Sequence, residues 1–371
     1  MLRSRVVLLS LVVLSQFAAF APAQAPPPTK VLEKTADEWI AILKEHKTVK
    51  FRRASLIALG VFGPKTSGVL PAVIEALDKD ADPQVRTDAA MLLGRMGVDA
   101  KLAVPSLADA LVKDKEATVR EAAARALGGD LNKFADEQLR ALVEALGDKS
   151  DGTRTAAAEA LMKLGDKAAP VYGSILALAK DRTKDRFSRQ YALRMLSRLG
   201  PDRHDAAEVL AQVLADKKTA TPLREEAADG LGRLTAPVAL VIPPLAESLS
   251  DPAVEIRRAA AIALVRQKQD AKLAWPKVQA AIKDADPAVR YQLIRVAGNM
   301  AKESPESIVL LVDEAKKDAN IENRLAAIQE LGQLAPYAAQ IGPVLTDLAT
   351  NDTEAVIRAA ADAAMKKLAG G

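Results

Sequence analysis

Only two histidines, His46 and His204, occur in the 371 residues, and cysteine is absent. General acid–base catalysis and most protein metal sites draw on imidazole. Thiolate nucleophiles, haem attachment and cysteine-bound zinc need a residue type this chain lacks. No Gly-x-Ser-x-Gly elbow, phosphate loop or dinucleotide fingerprint is present either. The paired acids Glu225 and Glu226 read as an ordinary charged helix face. The residue types therefore predict no catalytic residue, no metal site and no cofactor.

The charges that do repeat are arginine and aspartate. Arg52, Arg86, Arg120, Arg154, Arg189, Arg224, Arg257, Arg290, Arg324 and Arg358 follow one another at intervals of 33 to 35 residues. An aspartate stands six residues before the arginine in seven copies: Asp80, Asp114, Asp148, Asp251, Asp284, Asp318 and Asp352. In two longer copies Asp181 and Asp216 stand eight residues back, and in the first copy His46 takes the place. A guanidinium fork can serve a carboxylate and backbone carbonyls together. The expected chemistry is thus a ladder of structural pairs within or between repeats, in preference to a stripe for an anionic ligand.

A regular period means one supersecondary unit copied along the chain. Residues 69–97 display it. Val69, Leu70, Val73, Ile74 and Leu77 recur at helical spacing, Asp80 to Pro83 breaks the pattern, and Val85, Ala89, Leu92, Leu93 and Met96 form a second apolar face closed by Gly97. Alanines three and four residues after the arginine, such as Ala89 and Ala90, are small enough for close helix approach. Aromatic residues make up 3% of the chain, so the core must be a thin aliphatic layer. Thr35 and Glu38 have capping-box spacing for the first helix. Trp39 and Trp275 occupy core positions, Trp275 standing before a proline as Leu70, Val104 and Ile242 do.

The phrase Asp-x-Asp-Pro-x-Val-Arg-x-x-Ala-Ala-x-x-Leu-Gly resembles HEAT-type helical repeats, in particular the short form found in phycobilisome lyases. That resemblance covers roughly residues 37 to 369. It implies an all-α fold, a right-handed α-α superhelix (solenoid) of about ten HEAT-like helix pairs, with second helices lining the concave side. Members of the family mostly serve as scaffolds and binding surfaces, with a few enzymes among them.

On such a scaffold a site needs no special chemistry. Positions one, two, five and nine after each arginine should face away from the core. In repeats 5 and 8 they hold Gln190, Tyr191, Arg194 and Arg198, then Tyr291, Gln292, Arg295 and Asn299. Tyrosine and arginine are the types enriched at interface hot spots, although a tyrosine there can instead cover its neighbour's apolar edge. Repeats 5 and 6 also carry the length changes, and the loop before Arg189 holds Lys180, Arg182, Lys184 and Arg186. From Lys180 to Arg203 bases outnumber acids by eight to three. The functional expectation is a non-catalytic scaffold or adaptor binding a protein or peptide on its concave face. The alternative is a binder of an anionic polymer, polysaccharide or nucleic acid, through the basic repeat 5–6 region. A lyase-like enzyme ranks below both.

Residues 1–23 have a basic start, an apolar stretch from Val6 to Leu14 and small residues at Ala21 and Ala23. They read as a signal peptide, too short in its apolar part to span a bilayer. Export to a periplasm or the exterior is the corresponding expectation, with a Pro-rich lead-in at 24–36 and the solenoid at 37–371. The formal net charge is only +4, and such a leader would take Arg3 and Arg5 from it. Nucleic acid is disfavoured as a partner on that ground.

Overall fold

The computed structural model describes residues 28–129, 136–301 and 304–370; the leader-like residues 1–23 lie outside them. Its contacts divide the chain into two compact units, one running to Ala141 and the other starting at Leu142.

In the first unit α1 (Ala36–Glu45) packs on α2 (Val49–Phe62), α3 (Val69–Lys79) on α4 (Pro83–Met96), and α5 (Val104–Lys113) on α6 (Ala117–Leu127). After α7 (Asp136–Ala145) and α8 (Asp151–Leu164), the second unit continues with the pairs α9 (Tyr172–Lys180) and α10 (Arg186–Leu199), α11 (His204–Ala215) and α12 (Thr221–Arg233), and α13 (Val238–Ser248) and α14 (Val254–Arg266). It closes with α15 (Trp275–Ala281) and α16 (Pro287–Met300), α17 (Glu306–Lys317) and α18 (Ile321–Leu331), and α19 (Ala338–Asn351) and α20 (Ala355–Gly370). Within each unit every second helix also packs on the next second helix.

Local chemistry sets the boundaries. Asp82 caps α4 by accepting from the backbone N–H groups of Gln84 and Val85, with Pro83 in the first turn. Asp185 and Asp286 cap α10 and α16 in the same way. Thr35 and Glu38 form the expected capping box on α1. Just before it, Val31 and Lys34 make an isolated antiparallel bridge, and Trp39 donates Nε1 to the Val31 carbonyl at 2.9 Å, so part of the lead-in is tied to the first helix. Eleven residues after the arginine, Gly63, Gly97 and Gly165 take positive φ to end their helices; Lys268 holds the same place with φ 51.

The core is aliphatic, as composition demands. Ala89, Ala90, Ala123, Ala124, Ala157 and Ala158 are all buried. Close packing reaches its limit at Gly232, where a Cβ would stand 2.7 Å from the Ala263 backbone on α14. Trp39 is buried. Trp275 is half-buried, unlike Leu70, Val104 and Ile242 in the equivalent place, because an indole overfills a seat sized for an aliphatic chain.

The arginine ladder runs between repeats. Arg86, Arg120, Arg154, Arg257, Arg290 and Arg358 donate Nη1 to the carbonyl of their own aspartate, as Arg86 does to Asp80 at 2.9 Å and Arg290 to Asp284 at 2.7 Å, whereas Arg189, Arg224 and Arg324 give Nε to the carbonyls of Ala179, Leu214 and Ala315. In six of the repeats the remaining guanidinium nitrogens reach the carboxylate of the next repeat. These pairs are Arg52–Asp80 (2.7 Å) and Arg86–Asp114 (2.7 Å) in the first unit, and Arg224–Asp251 (2.5 Å), Arg257–Asp284 (2.6 Å), Arg290–Asp318 (2.8 Å) and Arg324–Asp352 in the second. The same carboxylates accept the N–H two residues on, fixing the turn between helices. His46 keeps half of this role: its Nδ1 accepts from Thr48 N at 3.0 Å and its carbonyl from Arg52 at 3.0 Å.

Candidate functional site

Second helices place the residues read from the sequence. The fifth position after the arginine is exposed or partly so throughout, from Ile57 and Met91 to Arg194 and Arg295. The second position is tighter. Ala122 and Ala156 fill it elsewhere and are buried, so it lies between neighbouring second helices.

That difference divides the α10 cluster from the α16 cluster. Tyr191, at the second position, is half-buried, and its hydroxyl lies 2.9 Å from Thr155 Oγ1 on α8. Arg194 donates Nε and Nη2 to the Glu226 carboxylate on α12 at 3.0 and 2.7 Å, and its guanidinium lies over the Tyr191 ring. Gln190 Nε2 reaches the same carboxylate at 3.4 Å. Glu226 is 8% exposed, so it is a buried partner and not part of a solvated face. Arg198 is exposed, with Nη1 3.1 Å from the Met162 sulfur.

On α16, Arg295 is exposed, and its one hydrogen bond among the described residues is to Gln292, one turn away at 3.4 Å. The reason is register: Ala326 on α18 stands where Glu226 stands on α12, and it offers no acceptor. Tyr291 is half-buried, and its hydroxyl has no hydrogen bond among the described residues. Asn299 donates to the Val265 carbonyl on α14 at 3.0 Å. Burial pushes the Glu330 carboxyl on α18 up, against the nearby positive charge of Arg295.

In the lengthened loop, Lys180, Arg182, Lys184 and Arg186 are all exposed. Arg186 and Arg154 both lie against the Phe187 ring, 4.6 and 4.3 Å from its centroid. Arg182 is paired with Asp216 at 2.8 Å. The α10 residues and the loop adjoin through α10 itself, whereas α16 is separated from α10 by two intervening second helices. Among the described residues no group of three or more histidine, aspartate or glutamate side chains is placed to hold a metal ion. Among them, too, no helix is long and apolar enough to cross a membrane.

The family model for HEAT repeats matches residues 36–128, 104–182 and 275–366. This chain is a HEAT-repeat protein. No curated protein sequence matches it. Among solved structures it is similar to the karyopherin Kap121p bound to Pho4p, with a TM-score of 0.68 at 15% identity over 97% of this chain and 44% of that one. Kap121p bound to the SUMO protease Ulp1p gives a TM-score of 0.64 at 15% identity, covering 90% and 41% of the two chains. A Kap95p structure with RanGDP gives 0.62 at 14%, covering 90% and 51%. The HEAT-repeat protein thus spans about half the length or less of these karyopherins, and the likeness establishes its all-α fold.

Proposed function

We propose that this HEAT-repeat protein is an exported, non-catalytic scaffold that holds a protein or peptide partner on its second helices. One observation supports this most directly. Among the described residues Tyr291, Gln292 and Arg295 on α16 present an aromatic ring, an amide and a guanidinium with no hydrogen bond to a neighbouring helix, whereas Gln190, Tyr191 and Arg194 on α10 are held by Thr155 and Glu226. Rigid helices that offer uncommitted tyrosine and arginine suit an interface hot spot. The partners named for Kap121p are consistent with a HEAT surface used this way. Export rests on the leader-like character of residues 1–23.

The test is affinity capture from an envelope and secreted extract with the chain from Gln24. It is run beside Tyr291→Ala/Arg295→Glu and, separately, Arg194→Glu. A partner that is lost with the α16 double variant supports the reading. A partner set unchanged by it removes α16 from the site. The amino-terminal sequence of the natural protein checks the leader.

A further inference from the structure

Two lengthened turns, in repeats 5 and 6, interrupt the arginine ladder at two consecutive rungs. Asp181 and Asp216 stand eight residues before their arginines where the other ladder aspartates stand six before theirs. Both still cap their turns. Asp181 accepts from Thr183 N and Oγ1, and Asp216 from Lys218 N and Thr219 Oγ1. Among the described residues neither is bonded to the preceding ladder arginine.

Arg189 is 8% exposed, as buried as a ladder arginine, yet it donates only Nε, to the Ala179 carbonyl at 3.3 Å. It makes no carboxylate pair among the described residues. Arg154 is 5% exposed; its Nη2 turns to Asp151 on its own helix at 3.0 Å, and its Nε is buried without a partner. Burial first, and then the charge of Arg182, push the Arg189 guanidinium down, outweighing the nearby charges of Asp181 and Asp216, the reverse of Arg257 and Arg290, which their aspartates hold up. A buried guanidinium with no carboxylate bonded to it, as at Arg189, is costly, and Lys180, Lys184 and Arg186 add positive charge at the same edge.

We propose that the two interrupted rungs at Arg154 and Arg189 form a carboxylate-binding site whose ligand is an acidic segment of a partner protein. Carboxylate is the chemistry these rungs take wherever the ladder is intact. Neighbouring helices pack about 8–10 Å apart, and an extended chain advances about 3.3 Å per residue. An extended segment with two acids three residues apart therefore matches adjacent rungs. This inference rests on the protein-binding reading above and adds to it the partner's chemistry and a second place of contact.

The experiment uses the chain from Gln24 and a fluorescent peptide with two glutamates three residues apart in a Gly/Ser/Thr background. Its Gln-for-Glu counterpart, sodium acetate and a sulfated polysaccharide serve as comparators. The expected result is saturable binding of the glutamate peptide, weakened about tenfold or more by glutamine replacement and by Arg189→Met, and retained by Arg257→Met. Thermal midpoints guard against misfolding: Arg189→Met should leave the midpoint level or raise it, whereas Arg257→Met should lower it. Equal affinity for the two peptides, or an Arg189→Met variant destabilised as much as Arg257→Met, overturns the proposal. Loss of polysaccharide but not peptide binding in Arg189→Met also overturns it and makes the ligand a polyanion. Peptide failure with successful capture through α16 leaves the scaffold reading standing; failure of both removes both.

Discussion

Arg182 holds the Asp216 carboxylate at 2.8 Å, although by repeat register Asp216 is the rung of Arg189. Two added residues move the aspartate out of reach of the ladder and hand it to an arginine from the preceding lengthened loop. The intact rungs show what this changes. Arg257 meets Asp284 with Nε and Nη2 at 2.6 and 3.0 Å while its Nη1 reaches Asp251 O at 3.0 Å, so one side chain joins two turns.

Breaking an intact rung should therefore cost more than removing a displaced aspartate. Asp284→Ala leaves Arg257 partly buried and opens the turn that its carboxylate caps at Asp286 N, a loss of roughly 2–4 kcal/mol. Asp181→Ala loses the bonds to Thr183 on an exposed loop, where water replaces them, so its cost should be much the smaller. Urea unfolding of the two variants by circular dichroism checks the difference; equal losses would contradict the assigned roles.

Glu314 gives stability a pH dependence of the less common sign. Burial first, and then the hydrogen bond to Asp318, pushes its carboxyl up to about 7. The folded state holds this proton more tightly than the unfolded chain does. Its contribution is complete below the ordinary carboxylate range and is lost as pH rises through about 7. Glu314→Gln keeps the shape and removes the titration. Its stability should fall less than the natural protein's between pH 5 and pH 8. Parallel profiles would rule Glu314 out as the source.

Lys268 carries a backbone penalty that its equivalents avoid. Its φ of 51 belongs to the position filled by Gly63, Gly97 and Gly165 elsewhere. Lys268→Gly should stabilise by about 0.5–1 kcal/mol, because left-handed backbone costs an L-residue more than glycine loses in entropy. The opposite change, Gly97→Lys, should destabilise by more, about 1–3 kcal/mol, because φ 60 with ψ −139 is backbone open essentially to glycine alone. Thermal midpoints of both variants test the pair.

Much of the fold was legible because punctuation and periodicity agree. The apolar run from Val69, the break at Pro83 and the closing Gly97 match α3, α4 and the glycine that ends α4. The ladder's members were legible too, but not their pairing, since spacing alone cannot say whether Arg86 takes the carboxylate before it or the one after. The site was less legible for a related reason. Tyr191 and Arg194 look free on their own helix; Thr155 and Glu226, on the helices before and after, engage them. One signal was present: Ala122 and Ala156 at the place of Tyr191 mark a crowded position. Glu226 looks solvated in the sequence for the same reason, since the arginine that covers it is a whole repeat away.

The two tryptophans fall one to each compact unit, Trp39 before Ala141 and Trp275 after Leu142. The first is buried with its indole N–H bonded to a carbonyl, and the second is half in solvent. Each unit thus contains its own optical reporter, the two differing in emission colour and quencher access, and a single phenylalanine replacement silences either one.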